Sequence, residues 1–207
     1  MDILKARQDV AEFMRRTYSK GLTTSTGGNI STRFGDFMLI TCSGKDKSSL
    51  RAENIAQVDI ETGENLTPEL KLSIESDMHR LIYKKRPDVC AVVHSHPTYS
   101  CLFSASSMEI DTTLIAESWY LLDKVKKIPY QRMGTEALAR EVSEFLISDN
   151  VALLANHGAI ALGKNLLSAF DRMECLEQAA KMTLLSKIVS TKGLEDKDLD
   201  DIAAMRG

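Results

Sequence analysis

The sequence predicts an α/β fold, in which helices pack on a mixed, largely antiparallel sheet. Two observations support this: apolar, β-branched segments alternate with segments of helical periodicity, and several strands are joined by connections too short for a crossover helix. With 207 residues, the chain is long enough for one substantial core. No internal repeat or low-complexity linker divides it, so residues 1–207 are expected to form one domain, with 191–207 as a flexible or short helical tail.

The first third of the chain predicts one helix and two strands. Apolar residues at helical spacing predict the helix, which Gly21 ends, and the small polar segment after it predicts a tight loop. The helix, the loop and the two short apolar strands are expected at 2–20, 22–31, 37–42 and 56–60.

The rest of the chain alternates helices and strands. The next helix ends at Arg86-Pro87, because the residue before a proline avoids the helical region. The segment Asn156-His157-Gly158 forms a turn between two strands or a bulge inside one. The expected helices are 75–85, 134–147 and 165–190, with a short one within 194–204, and the expected strands are 89–96, 151–155 and 159–163.

Composition narrows the class of protein. The formal net charge of −3 argues against a general binder of nucleic acid or membrane surfaces, which is usually basic. The N-terminus has no continuous apolar core, so it is not a signal peptide, and no segment reaches the length of about 20 apolar residues that a membrane span needs. Four scattered cysteines, without a CxxC pair, predict reduced, mostly buried thiols in a cytoplasmic protein: Cys42, Cys90, Cys101 and Cys175.

His94 and His96 give the clearest chemical signal. Residues i and i+2 of a strand project from the same face, so both imidazoles can reach one ion. They end an apolar strand, where two titratable rings are costly to bury without a shared task. Zinc binds histidine nitrogens and keeps an open position in catalytic sites with three protein ligands. The alternative is a pair of hydrogen-bonded structural histidines.

Two further histidines and a carboxylate accompany this pair. His157 lies between two apolar strands, where Gly158 permits a close approach or an unusual backbone; alone it is more typical of a structural turn. Glu75 begins the helix that carries His79, which faces either the core or a partner of the site. Glu75 either caps its helix or, beside a metal ion, acts as a resting ligand and a general base.

Two polar loops complete the set of candidates. Gly27-Gly28-Asn29 and Ser43-Gly44-Lys45 offer backbone N–H groups, small side chains and a cation, which together suit a phosphate group. Glycine-rich loops are also common as plain turns.

Taken in order, these segments resemble the class II aldolase and adducin head family. The resemblance runs from about residue 5 to residue 190, and five motifs occur in the family's order. They are TGGNIS (26–31), ITCSGKDKSSL (40–50), KLSIES (71–76), RPDVCAVVHSHP (86–97) and LLANHGAIALG (153–163).

The resemblance implies a three-layer αβα fold and a homotetramer with active sites at subunit contacts. It also implies zinc held by His94, His96 and His157 with Glu75 nearby, although Mn²⁺, Co²⁺ or Fe²⁺ also suit such donors. The implied phosphate pocket comprises Gly28, Asn29, Ser43, Gly44 and Ser73, with Lys45 as an added candidate. The implied reaction cleaves a ketose 1-phosphate, such as L-fuculose 1-phosphate or a related deoxy-ketose 1-phosphate, to dihydroxyacetone phosphate and an aldehyde, with Glu75 moving the proton.

Three departures from the family pattern leave the reaction open. Ile74 replaces the second serine of the phosphate motif, Ile115 aligns with a tyrosine, and no tyrosine follows Tyr130. Glu117 lies in the same region as Ile115 and is either a surface charge of a helix or a base. A sugar-phosphate dehydratase, decarboxylase or 4-epimerase that uses Glu117 is therefore the alternative.

Two other classes fit less well. A metal-dependent isopeptidase shares HSHP and Ser104, but Ser107 stands where that motif needs an aspartate ligand. A non-catalytic, adducin-like binding module is expected to lack the three histidines.

Overall fold

The computed structural model describes residues 2–206, which form seven α-helices and seven strands. The helices are α1 (Ile3–Ser19), α2 (Ser76–Lys85), α3 (Thr98–Ser104), α4 (Ala116–Leu122), α5 (Glu136–Phe145), α6 (Leu166–Leu185) and α7 (Asp196–Ala204). The strands are β1 (Asn29–Phe34), β2 (Phe37–Thr41), β3 (Ile55–Asp59), β4 (Ala91–Ser95), β5 (Lys126–Ile128), β6 (Val151–Leu154) and β7 (Gly158–Gly163).

The strands form one sheet in the order β3-β2-β1-β4-β7-β6-β5. Every neighbouring pair is antiparallel except β5 and β6, which are parallel. The prediction of a mixed, largely antiparallel sheet is therefore confirmed.

Helices cover both faces of the sheet and give the three-layer αβα arrangement. One core lies between the sheet and helices α1, α3, α4 and α6, and the other lies between the sheet and helices α2 and α5. Successive residues of a strand serve opposite cores: Val93 of β4 packs in the first, and Val92 packs in the second. This alternation explains why the central strands are apolar at every position.

The clearest error of the sequence prediction is strand β1. Residues 22–31 were expected to form a tight loop, but the chain enters β1 at Asn29 and pairs with both β2 and β4. Helices α3 and α4 and strand β5 were not predicted, and α6 ends at Leu185, before the expected residue 190. These elements are short or polar, so tertiary contacts rather than periodicity determine them.

The C-terminal segment forms a helix that packs against α4. Trp119 donates its indole N–H to the carbonyl of Leu199 at 2.9 Å, and the Arg206 guanidinium lies 5.1 Å from the centre of the Trp119 ring. Within the expected tail, residues Asp196–Ala204 form the short helix α7.

Two further sequence expectations bear on the class of protein. Among residues 2–206, no helix is both long enough and apolar enough to cross a membrane. All four cysteines are free thiols, but only Cys42 is buried and the other three are half-buried. The expectation of mostly buried thiols was therefore wrong for three of them.

Candidate active site

Three histidines converge at one end of the central strands. His94 lies near the end of β4, His96 follows β4, and His157 lies in the turn between β6 and β7. Strand β4 pairs antiparallel with β7, with His94 opposite Ile160 and Ser95 opposite Ala159, so the turn is beside the strand end. One ligand nitrogen from each histidine lies within 4.8 Å of the others. The group can hold a metal ion, as the spacing of His94 and His96 predicted.

The hydrogen bond of His94 fixes which of its nitrogens faces the site. Its Nδ1 lies 3.0 Å from the carbonyl oxygen of Ala159, and a carbonyl oxygen only accepts, so Nδ1 carries the proton. In the neutral ring, Nε2 then offers a lone pair to the site. This nitrogen is buried and makes no hydrogen bond within the described residues.

Glu75 faces the histidines instead of capping its helix. It is the N-cap residue of α2, yet its side chain makes no capping hydrogen bond. Its Oε2 lies 3.2 Å from Nε2 of His94, and its Oε1 lies 3.0 Å from Nε2 of His157. Both distances are in ion-pair range, but neither Oε1 nor Nε2 of His94 has a well-directed hydrogen bond. A carboxylate oxygen and an imidazole nitrogen that face each other this closely without a hydrogen bond repel through their lone pairs. A cation bound by both atoms would remove that repulsion.

The charges at the site depend on burial and on this close approach. Burial opposes ionisation of the Glu75 carboxyl, but His94 and His157 outweigh it and hold its pKa well below the usual range. Burial likewise opposes a charge on His94, but Glu75 raises its pKa. Burial, with a smaller effect of His94 and His157, lowers the pKa of His96 to about 4. His96 is therefore neutral at pH 7, the state that binds a metal.

Asn29 connects the carboxylate to the neighbouring loops. It lies opposite His94 in the β1–β4 pair, and its amide Nδ2 donates to Oε2 of Glu75 at 2.9 Å and to Oγ of Ser73 at 3.1 Å. Its side chain is 3% exposed. Predicted as a phosphate ligand, Asn29 therefore also orients the carboxylate.

Glycines allow the backbone to approach the histidines. A Cβ at Gly158 would lie 2.6 Å from Cδ2 of His96, and one at Gly28 would lie 2.8 Å from the carbonyl oxygen of His94. Gly28 also has a positive φ of 64°. The predicted close approach at Gly158 is observed.

Behind the site, the fourth histidine is part of a buried polar network. His79 Nδ1 lies 2.7 Å from Oγ of Ser31, which lies 2.8 Å from the hydroxyl of Tyr83. Burial, with a smaller effect of His94, lowers the pKa of His79 to about 3, so its ring is neutral. Of the two positions expected for His79, the structure places it in the core.

The second predicted phosphate loop lies beside the first. Ser43 N donates to the carbonyl of Lys71 at 2.9 Å, and Lys47 N donates to the carbonyl of Ser25 at 2.9 Å. Gly44 has a φ of 70°. Lys45 is exposed, whereas Lys47, which the sequence analysis did not single out, is buried.

Glu117 and Ile74 are both exposed. Glu117 lies in the first turn of α4 beside Cys175 of α6. Within residues 2–206 it forms no hydrogen bond or ion pair with the histidines. Ile74, beside Ser73, is 59% exposed. A cavity of about 600 Å³ near Trp119 includes none of the candidates, so the site is assigned by its chemistry rather than by a cavity.

Comparison with known proteins identifies the family. The sequence pattern of the class II aldolase and adducin N-terminal domain matches residues 8–184. The chain therefore belongs to this family, as its motifs predicted, and is an enzyme of the class II aldolase type.

Individual relatives carry out different reactions. The chain is 31% identical to the L-fuculose phosphate aldolase of Methanocaldococcus jannaschii, over 88% of this chain and 98% of that protein. It is 32% identical to the 5-deoxy-D-ribulose 1-phosphate aldolase of Bacillus thuringiensis (98% and 96%). It is also 31% identical to the 3-oxo-tetronate 4-phosphate decarboxylase of Haemophilus influenzae (98% and 98%). A solved L-fuculose 1-phosphate aldolase superposes with a TM-score of 0.88 at 28% identity, covering 97% of this chain and 95% of that one.

Proposed function

We propose that this protein is a zinc-dependent aldolase that cleaves a short-chain ketose 1-phosphate to dihydroxyacetone phosphate and an aldehyde. L-fuculose 1-phosphate and related deoxy-ketose 1-phosphates are the expected substrates. The observation that carries the proposal is the group of three imidazoles, one buried and two half-buried, with the carboxylate of Glu75 in contact with two of them. Relatives named as aldolases for two such sugar phosphates support it.

His94, His96 and His157 would hold the metal ion, with Glu75 as a further ligand at rest. Zinc suits three imidazoles and a carboxylate, although Mn²⁺, Co²⁺ and Fe²⁺ accept the same donors. When bound, such a cation supplies Lewis-acid stabilisation of negative charge on the substrate's carbonyl oxygen.

Glu75 is the proposed acid/base group. Its carboxylate is ionised, so in the direction of carbon–carbon bond formation it can remove a proton from the carbon next to the carbonyl. In the direction of cleavage, the hydroxyl group that becomes the aldehyde loses a proton, and Glu75, once it has taken up a proton, delivers it to that carbon. Asn29 restrains Oε2 through its amide N–H.

The proposed phosphate site comprises Gly28, Asn29, Ser43, Gly44 and Ser73. Two contacts support this site: Asn29 donates to Ser73, and a backbone hydrogen bond from Lys47 to Ser25 joins the two loop segments. We also propose that the protein is a homotetramer with subunit contacts near the site. Exposed apolar side chains support such a contact, since Ile74 beside Glu75 is 59% exposed and Met133 is 60% exposed.

A decarboxylase is the second candidate. It is favoured by the Haemophilus influenzae relative, which matches as large a share of this chain as the aldolase of Bacillus thuringiensis does. Loss of CO₂ from a 3-oxo acid and aldol cleavage both leave negative charge beside a carbonyl, so one arrangement of ligands can serve either reaction. For a dehydratase or 4-epimerase with Glu117 as base, that exposed residue would have to act at a subunit contact.

The test is a coupled assay of the metal-loaded protein on L-fuculose 1-phosphate, ribulose 1-phosphate and 5-deoxyribulose 1-phosphate. Metal-dependent release of dihydroxyacetone phosphate is expected, with a loss of about 10²–10⁴-fold in Glu75→Gln. Asp77→Asn, in the same helix but exposed and paired with Arg80, is the matched control and should retain activity.

Two outcomes would reject the aldolase proposal. If no ketose 1-phosphate is cleaved but 3-oxo-tetronate 4-phosphate releases CO₂, the decarboxylase takes its place. If the activity that is found is lost in Glu117→Gln and kept in Glu75→Gln, the assignment of the base is wrong.

A further inference from the structure

Lys47 is a buried cation whose opposite charge is missing. It is 2% exposed, and no other lysine or arginine in the described chain is buried to this degree. Its ammonium group donates to the carbonyl oxygen of Cys42 at 3.2 Å, which uses one of its three N–H groups. Within residues 2–206, no carboxylate lies in ion-pair range of it. Burial correspondingly lowers the pKa of Lys47.

A buried charge of this kind requires compensation. Removing an ammonium group from water is strongly unfavourable unless an anion or a full set of hydrogen bonds replaces the water. One carbonyl oxygen supplies neither. Burial of the Lys47 ammonium therefore either costs the folded protein an unusually large free energy or is compensated by an anion that binds from outside the chain.

The surroundings of Lys47 indicate which anion. The side chain curls back to the carbonyl oxygen of Cys42, the residue that immediately precedes Ser43 of the second phosphate loop. The backbone of Lys47 binds Ser25 of the first loop. The ammonium thus lies beside the start of the second loop, in a segment whose backbone is hydrogen-bonded to the first loop. Backbone N–H groups and serine hydroxyls of these loops can complete the coordination of a phosphate.

We propose that the phosphate group of the substrate is the missing partner of Lys47. Lys47, rather than the exposed Lys45 of the same loop, neutralises the phosphate and makes the enzyme selective for phosphorylated over unphosphorylated sugars. This inference rests on the proposed function only in taking the substrate to be a phosphate ester. It does not depend on which bond the enzyme breaks.

A purely structural role for Lys47 predicts different behaviour. If the ammonium only holds the loop through Cys42, an uncharged donor at this position preserves phosphate binding. If it compensates a phosphate, loss of the charge weakens binding even where the donor is kept. Lys47→Gln and Lys47→Met separate these two roles, because only glutamine retains an N–H donor.

The experiment is calorimetric titration of glycerol 3-phosphate into the wild-type protein and its variants, with glycerol as the phosphate-free probe. Metal-loaded and chelator-treated samples are compared, so that binding of the ester to the metal is recognised. The wild-type protein should bind glycerol 3-phosphate in both samples, with no detectable binding of glycerol. Lys47→Gln and Lys47→Met should each weaken that binding by about 10- to 100-fold, the effect of losing a charged hydrogen-bond partner.

Lys45→Met tests the competing cation and should change the affinity by less than about threefold, because exposed charges are screened. Wild-type affinity in Lys47→Gln, a tenfold loss in Lys45→Met, or no binding by the wild-type protein would each overturn the inference. Binding is measured without turnover, so the two proposals can fail separately. If the protein binds glycerol 3-phosphate through Lys47 but cleaves no ketose 1-phosphate, only the aldolase proposal is rejected.

Discussion

Of the described glycines, Gly158 would bring a Cβ nearest to a histidine side chain, and replacing this glycine by alanine should weaken metal binding as well as the fold. The new Cβ would lie 2.6 Å from Cδ2 of His96 and 2.6 Å from the carbonyl oxygen of Ser95, where ordinary contact begins at 3.4 Å. To relieve both contacts, the backbone at residue 158, next to His157, and the imidazole of His96 have to separate by the difference, about 0.8 Å. That displacement is several times the tolerance of about 0.2 Å in metal–ligand distances.

The matched control is Gly163→Ala, at the other end of the same strand. Its Cβ would lie 2.4 Å from the backbone nitrogen of Ala169, so both variants are overpacked, at a cost of about 1–3 kcal/mol each. Only Gly158→Ala should lower zinc affinity, by about 10- to 100-fold, as expected when a ligand loses its orientation. The measurements are competition with a chromophoric chelator for affinity and urea unfolding of the metal-free protein for stability. Equal zinc affinities in the two variants would refute the assignment of His96 as a ligand.

Two predictions concern the polar network behind the site. Ser31→Ala should lower the free energy of unfolding by about 1–3 kcal/mol in urea titrations, because the buried His79 and Tyr83 lose their shared partner; an unchanged midpoint would contradict this. The pKa of His79 is about 3 in the folded protein and ordinary when unfolded. The unfolded chain therefore binds one more proton as pH falls from about 6.5 towards 3, and the stability present above pH 6.5 is lost over that range. Chelator-treated protein should lose about 1.4 kcal/mol per pH unit there from this group, and His79→Gln should show a shallower slope.

Secondary structure was predicted most accurately from the sequence in strongly apolar segments. The buried strands β4, β6 and β7 and the long helices appeared close to their true bounds, because their periodicity reflects burial directly. Strand β1 was missed because its interior position Ser31 is polar. Its hydroxyl is satisfied by His79 and Tyr83, which lie about 50 residues further along the chain, so only the tertiary structure reveals why a polar residue is tolerated there.

The same limit applies to the site. The spacing of His94 and His96 predicts a shared face, and family motifs add His157 and Glu75. No spacing rule, however, distinguishes Lys45 from Lys47, because an irregular loop has no period from which burial can be read. The motif predicted Lys45, next to the glycine, whereas the backbone of the loop buries Lys47, two residues later.

The two oxygens of Glu75 are held differently, and we expect one to position the carboxylate and the other to exchange the proton. Oε2 accepts from the Asn29 amide at 2.9 Å, whereas Oε1 lies near His157 without a well-directed hydrogen bond. An anchored oxygen fixes the position of the carboxylate, and the less restrained one is free to exchange a proton. Asn29→Ala should therefore reduce kcat by about tenfold or more, the effect of losing a hydrogen bond to a charged group. Because three imidazoles remain, zinc affinity in the chelator competition should stay within about threefold of wild type. A parallel loss of metal would show instead that Asn29 supports the ligands rather than the base.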